Sequence, residues 1–218
     1  MSRIARRTVF SLTMFGAGLF AAAMVHAQSV DPRIARLTDL VVQTVPMGEI
    51  FDGLAAANPA FPVQENPDAV SAGQLACLRH ELSSPGYRRM KRADVVAYVD
   101  RHPGAVDADI AVLELGAARM MSRLMLAGVE EELTGVPVDE QAVMASAGEG
   151  ELEAFMQMMT GPEHARLRGL LGIGDAYDAQ RSAEENESAG EQAGGDLATK
   201  VMLTAMSSCD VSIDALFD

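Results

Sequence analysis

The sequence predicts an all-α protein, a single-domain helical bundle around one buried central helix. Apolar residues recur at helical spacing along most of the chain, and no stretch shows the strict apolar–polar alternation of a half-buried strand. Residues 107–128 are apolar on nearly every side. A helix of that kind belongs in the middle of a bundle, where other helices cover it.

The predicted central helix runs from Asp107 to Gly128. Asp107 or Asp109 can accept the first free backbone N–H groups, and Gly128 offers a left-handed stop. At 1.5 Å per residue, such a helix would span roughly 30 Å. That length allows several other helices to pack against it.

The first 27 residues are predicted to be a secretory signal peptide. Three arginines precede an uncharged run over residues 8–25, and a small-residue cleavage pattern ends at Ala27. The pair Arg6-Arg7 leaves the twin-arginine route open, although the general secretory route is favoured. We therefore expect residues 28–218 to form one helical domain in the periplasm or outside the cell.

The charge of the chain excludes some partners. The sequence has 17 basic and 31 acidic residues, a formal net charge of −14. Such a charge disfavours nucleic acid and anionic membranes as partners. Glu114, Arg119 and Arg123 interrupt the apolar central stretch, and charges there are costly in hydrocarbon. We therefore expect that the protein does not bind nucleic acid and that it is not an integral membrane protein.

Cys77 and Cys209 are the two cysteines of the chain. In an oxidising compartment an even pair most simply forms one disulfide bond. A bridge between positions 132 apart would remove unfolded-state entropy worth on the order of 5 kcal/mol. A catalytic or metal-binding thiol pair is the alternative, although neither cysteine lies in a C-x-x-C motif.

Local signals place the first helices. Asp31-Pro32 is typical of an N-cap followed by proline at the first helical position. Pro46 must break or kink the helix that follows. Residues 58–68 contain three prolines and are predicted to be an extended connection.

The next two helices are separated by a turn near residues 83–86. Ser71 and Gln74 have capping-box spacing, which predicts a helix beginning there. A further helix is predicted from about Tyr87 to Asp100.

The last third of the chain is less uniform. Asp139 can cap a helix after a Gly-Val-Pro turn, and Pro162 is predicted to begin a short helix through Leu171. Residues at about 175–195 are polar and small, which predicts a flexible segment, either a loop or a solvated, frayed helix. The C-terminal residues return to helical apolar spacing.

One stretch carries a family resemblance. Residues 151–170, ELEAFMQMMTGPEHARLRGL, resemble the helix–turn–helix segment of a family of uncharacterised exported helical bacterial proteins. In that family glycine follows proline in the turn, whereas Gly161 precedes Pro162 here and His164 occupies the later position. The resemblance implies an exported helical protein and carries over no catalytic residue.

Enzyme motifs are incomplete in this sequence. No G-x-S-x-G elbow is present, and His80-Glu81 lacks the second histidine of a zinc protease helix, because Ser84 stands there. Gly172-Ile173-Gly174 lacks the third glycine of a dinucleotide-binding loop. We predict no cofactor and no catalytic residue, and an enzyme of unrecognised type is the third functional hypothesis.

A basic cluster is the first candidate binding site. Its members are Arg79, Arg88, Arg89, Lys91 and Arg92. Such a cluster can grip a phosphate, a cell-wall carboxylate or an acidic partner. The alternative is a solvated helix face, or one neutralised by the acidic residues that follow Gly174.

Methionines are the second candidate. Met156 and Met159, with His164 beyond the turn, can supply soft ligands to Cu(I), so periplasmic copper handling is the alternative function. Core packing is the simpler interpretation, because methionine commonly fills helical cores. A third interpretation is an adaptable groove for a partner helix or an acyl chain. The leading hypothesis is a non-catalytic binding protein that engages an unknown envelope component or another exported protein.

Overall fold

A computed structural model of the chain describes residues 31–174 and 176–216, and every regular element in this part is a helix. The predicted all-α class is confirmed. The α-helices are, in order, α1 Pro32–Thr44, α2 Met47–Ala57, α3 Ala72–Leu82, α4 Ser84–Arg101, α5 Val106–Val112, α6 Ala118–Thr134, α7 Glu140–Ala145, α8 Glu151–Thr160, α9 Ala165–Leu171 and α10 Ala183–Ser208. A π-helical turn, Leu113–Ala117, joins α5 to α6.

The first two helices begin and end where the sequence predicts. The Asp31 side chain accepts a hydrogen bond from the Arg33 backbone N–H at 2.9 Å, so Asp31 is the N-cap of α1. Pro46 lies between α1 and α2 and confirms the predicted break. Helix α1 packs against α4, α5 and α6, and its residues Leu37 and Val41 are completely buried.

The capping box of α3 is also confirmed. The Ser71 hydroxyl accepts from the Gln74 backbone N–H at 3.2 Å, and the Gln74 side-chain oxygen accepts from the Ser71 N–H at 3.0 Å. Helix α4 begins at Ser84, before the predicted Tyr87, because Ser83 ends α3 and caps α4 at once. The turn between these helices is therefore a single residue.

The predicted central helix is two helices joined at Gly116. This residue has a φ of +131°, which glycine adopts at far lower cost than other residues. A Cβ at this position would lie 2.5 Å from Cγ of Glu151, the first residue of α8. The chain therefore bends where α8 comes closest to it.

The predicted stop at Gly128 is wrong. Helix α6 continues to Thr134, and Gly135, with a φ of +67°, provides the left-handed end. The residues between Gly128 and Gly135 are mostly good helix formers, so a single exposed glycine does not end the helix.

Burial along this segment is uneven. Leu113, Ala117 and Met120 are at most 1% exposed, whereas Leu115 is 63% exposed. In α6, residues 121–127 are only half-buried. The centre of the bundle is therefore the kinked region around Gly116, and the second half of α6 keeps apolar side chains near the surface.

One cluster of buried apolar side chains runs through the described helices and is the core of the fold. Its largest fully buried members include Leu37, Leu78, Leu82, Tyr87, Leu113, Met120, Met158, Leu167, Leu171 and Met206. Since these residues come from both ends of the chain, the core joins α1 to α10.

The predicted disulfide bond is confirmed. Cys77, in α3, is bonded to Cys209, the residue that ends α10, with 5.8 Å between their Cα atoms. Helix α10 also packs against α3. The bond therefore ties the end of the last long helix to the first half of the chain.

The polar segment predicted at about 175–195 is largely helical. Ser182 and Glu185 form a capping box that begins α10, so residues 183–195 make up its first half. None of the residues 183–196 is buried. Of the two alternatives, the solvated helix describes these residues, and their flexibility stays a prediction.

The predicted signal peptide, residues 1–27, lies outside the described residues and stays a prediction. Among the helices that the structure does describe, none combines the length and the apolar character needed to cross a membrane.

Candidate functional site

A groove lies between the second half of α6 and the first half of α10. It has a volume of about 510 Å³, and α8 and the loop after α9 complete its walls. We call it the methionine groove. Its apolar lining consists of Met121, Leu124, Met125, Met159, Ile173, Ala176, Ala183, Ala193 and Leu197, with Gly190 and Gly194 beside them.

The wall on α10 consists mainly of small residues. Gly190, Ala193 and Gly194 line the groove and recur at the three- or four-residue spacing of one helix face. A Cβ added at Gly190 or Gly194 would meet no atom within 4 Å. The groove therefore exists because α10 carries no large side chain along this face, until buried Leu197 closes the space.

The wall on α6 is apolar and adaptable. Met121, Leu124 and Met125 are half-buried there, and Met159 of α8 is 8% exposed. Unbranched thioether side chains reposition at low cost, so methionine is common at surfaces that adapt to different apolar ligands. Met121 and Met125 are therefore intermediate between core and solvent, whereas Met159 belongs to the edge of the core.

The polar groups of the groove lie near the start of α10. The Asn186 side chain donates to the Asp178 carbonyl at 3.0 Å and accepts from the Asp178 N–H at 2.9 Å. This pair of hydrogen bonds fixes the loop that carries Tyr177. Glu187 is the one charged residue that lines the groove in the described part of the chain. The polar rim of the groove, which consists of Tyr177, Asn186 and Glu187, therefore carries one negative charge and no positive charge among the described residues.

Helix α8 is held against α6 by Glu151. Its carboxylate accepts from Arg119 at 2.6 Å, Arg123 at 2.7 Å and the Gly148 N–H at 2.9 Å. The Gly148 N–H and the two guanidinium groups lower the pKa of Glu151 to about 2. This network, which sequence reasoning missed, fixes the helix that brings Met159 to the groove.

The five basic residues that were predicted to bind an anion have different partners in the structure, and their role in binding stays a prediction. Arg88 pairs with Asp39 of α1, and Arg89 pairs with Glu81 of α3 at 3.0 Å. Arg79 donates to backbone carbonyls of the loop after α2. Each of these guanidinium groups therefore has its own partner.

The last two members of the cluster also differ from each other. Lys91 is 3% exposed, with its Nζ 3.7 Å from Asp94, and burial lowers its pKa. Arg92 is exposed and has no ion pair within the described residues. The carboxylates that pair with the cluster belong to α1, α3 and α4, so the acidic segment after Gly174 is not what neutralises it.

The three predicted copper ligands have different surroundings. Met156 is 36% exposed, Met159 lines the methionine groove, and His164 is 2% exposed. His164 Nδ1 lies 2.9 Å from Oδ1 of Asp109. One imidazole nitrogen is therefore already engaged inside the protein, and the copper site stays a prediction.

A buried polar network joins α4, α5 and the turn before α9. The Tyr98 hydroxyl donates to Asp109, whose other carboxylate oxygen faces His164. Burial and the hydrogen bond to Asp109 raise the pKa of Tyr98. The prediction that Asp107 or Asp109 caps a helix is wrong, because α5 follows Ala105 with no side-chain cap and the Asp109 carboxylate contacts Tyr98 and His164 instead. Tyr98, Asp109 and His164 are too far apart in sequence to form a recognisable motif, so the sequence did not predict this network.

No family model, curated protein or solved structure matches the chain. The stretch of residues 151–170 forms α8, a short 3₁₀ turn and most of α9. It contributes Met159 to the methionine groove and His164 to the buried network.

Proposed function

We propose that this chain is an exported, non-catalytic binding protein whose methionine groove takes up the alkyl chain of a small envelope amphiphile. The observation that carries the proposal is a groove with one methionine-rich wall and one wall of small residues. Its volume of about 510 Å³ lies within the roughly 300–1,000 Å³ of small-molecule sites.

An alkyl chain fits this groove better than a partner helix does. One helical turn with its side chains, about 11 Å wide and 5.4 Å long, occupies roughly 500 Å³. The groove therefore has about the volume of one turn, whereas helix-in-groove recognition uses anchors that extend over about two turns of the bound helix. An extended alkyl chain, by contrast, could bury most of its length there.

The polar rim favours a neutral or cationic head group. The Tyr177 hydroxyl and the Asn186 amide are neutral, and Glu187 repels anions. The formal net charge of −14 adds to that repulsion. Long-chain alcohols and amines should therefore bind more tightly than carboxylates of the same length.

Two features support a location in the cell envelope. The disulfide bond between Cys77 and Cys209 is typical of proteins in oxidising compartments. The first 27 residues have the organisation of a signal peptide. An exported protein with an apolar groove would meet envelope amphiphiles directly.

The test uses the neutral fluorescent dye N-phenylnaphthylamine and two matched variants of α10. Gly194 and Gly195 are adjacent and exposed, and a Cβ at either meets no atom within 4 Å, but only Gly194 lines the groove. Gly194→Leu should weaken dye binding at least about tenfold by occupying the groove. Gly195→Leu should leave dye binding unchanged.

Displacement of the dye by amphiphiles of equal chain length then tests which head group the groove prefers. Dodecanol and dodecylamine should compete more strongly than dodecanoate. Equal dye affinity for the two leucine variants would overturn the assignment of the groove. Stronger competition by dodecanoate would overturn the head-group preference while leaving the groove in place.

A further inference from the structure

A second cavity, of about 300 Å³, lies between α4, α9 and α10. Arg101, Arg166 and Lys200 line it, one from each of these helices. Tyr98 and His102 contribute aromatic walls. Its lining is thus rich in positive charge, unlike that of the methionine groove.

The three cations of this cavity have no counter-ion of their own. Within the described part of the chain, none of them forms an ion pair. Asp94 is the one acidic residue in the described lining, and Lys91 already engages its carboxylate at 3.7 Å. An excess of unpaired positive charge around a cavity is unexpected in a chain of net charge −14.

We propose that this cavity binds a small, multiply charged oxyanion, a phosphate or a polycarboxylate. Guanidinium groups present planar pairs of donors that match phosphate and carboxylate oxygens, and an ammonium adds a third positive charge. Three cations exceed what a single monocarboxylate can neutralise. The ligand therefore carries at least two negative charges.

Part of the site is rigid before any ligand binds. Tyr98 is 3% exposed, its hydroxyl donates to Asp109, and its ring lies edge-on to His102 with 5.1 Å between centroids. The Arg101 Nε donates to the Ala97 carbonyl at 2.9 Å, which holds this guanidinium along α4 and leaves its terminal amino groups available.

The site also has room for more than the anionic group. An adjoining cavity of about 530 Å³ shares Arg101, His102 and Arg166 with the first and extends towards the turn after α4. Asp109 and Glu163 also line it, so it suits an uncharged or cationic part of the ligand. A ligand can therefore place its anionic group among the three cations and extend an attached polar group into this second space.

The test is isothermal titration of the full protein with pyrophosphate and with citrate, using acetate as a monoanion. Arg166→Gln removes a cavity cation and should weaken binding of the preferred anion at least about tenfold. Arg36→Gln is the control, because Arg36 is also exposed, lies outside the cavity and belongs to no predicted binding cluster; its guanidinium pairs with Glu114. It changes the net charge identically and should alter the affinity less than twofold.

Lys200→Gln provides a second, independent variant that should also weaken binding. Thermal unfolding without ligand checks that each variant is folded. Preference for pyrophosphate or for citrate identifies the anion as phosphate or carboxylate, and both results support the site. Equal weakening by Arg166→Gln and Arg36→Gln, or no saturable binding to the unmodified protein, would overturn it.

Discussion

Gly116 shows how one residue determines the course of the chain. Its φ of +131° and its contact with Glu151 require a residue without a side chain. The apolar pattern of residues 107–128 is continuous through this point, so periodicity alone predicts an uninterrupted helix. A positive φ leaves no trace in hydrophobic spacing, and the kink was therefore not predictable.

Two glycine-to-alanine variants test this account, and they should change the free energy of unfolding in opposite directions. Gly116→Ala should lower the free energy of unfolding by about 1–3 kcal/mol, because a non-glycine residue is strained there and its Cβ meets Glu151. Gly128→Ala should raise it by about 0.5–1 kcal/mol, because Gly128 lies in α6 in open space. Denaturant unfolding measures both, and a neutral Gly116→Ala would contradict the account.

Glu151 predicts a pH dependence of stability. The pKa of Glu151 falls from an ordinary 4.5 to about 2 on folding. The stability that its ionised carboxylate gives to the folded state is therefore fully present above pH 4.5. That contribution is lost as the pH falls from 4.5 towards 2, because the folded state then gains protons less readily than the unfolded state. Melting temperatures across this range should fall more steeply for the unmodified protein than for Glu151→Gln. Parallel curves would show that this network does not govern acid stability.

At the scale of elements, α10 has two different halves. Its first half is solvated and forms the small-residue wall of the methionine groove, whereas Val201, Ala205 and Met206 in its second half are buried. From composition alone, the first half was predicted to be either a loop or a solvated helix, with no preference between the two. The capping box at Ser182 and the packing of the second half explain the helix.

The disulfide bond should stabilise this arrangement. Since it closes a span of 132 positions, reduction, or the double variant Cys77→Ser/Cys209→Ser, should cost up to about 5 kcal/mol of unfolding free energy. Denaturant midpoints of the oxidised and reduced protein measure the difference, with the serine variant in reductant as control. An unchanged midpoint would mean that packing alone fixes α10 against α3.

At the scale of the whole molecule, most predictions based on local signals are confirmed, although the helix cap at Asp107 or Asp109 and the helix stop at Gly128 are wrong. The cap at Asp31, the break at Pro46 and the capping box at Ser71 depend on residues close together in sequence. The disulfide bond was predictable because two cysteines allow only one pairing. The all-α class followed from helical spacing throughout the chain.

Sites were harder to predict because they depend on which side chains meet in space. The basic residues of α3 and α4 are close in sequence, yet most are paired with separate partners. Arg101, Arg166 and Lys200 are far apart in sequence and line one cavity. The methionine groove combines methionines, for which core packing was the simpler interpretation and a groove one alternative, with a polar segment that was predicted to be a loop or a solvated helix.

Native mass spectrometry of the protein purified from its own host tests the central claim most directly. The account predicts one bound molecule per chain with an alkyl chain and a neutral or cationic head group. This molecule should be lost in Gly194→Leu and retained in Gly195→Leu. Equal occupancy in the two variants, or an unmodified protein that carries no such molecule, would contradict a ligand-binding methionine groove.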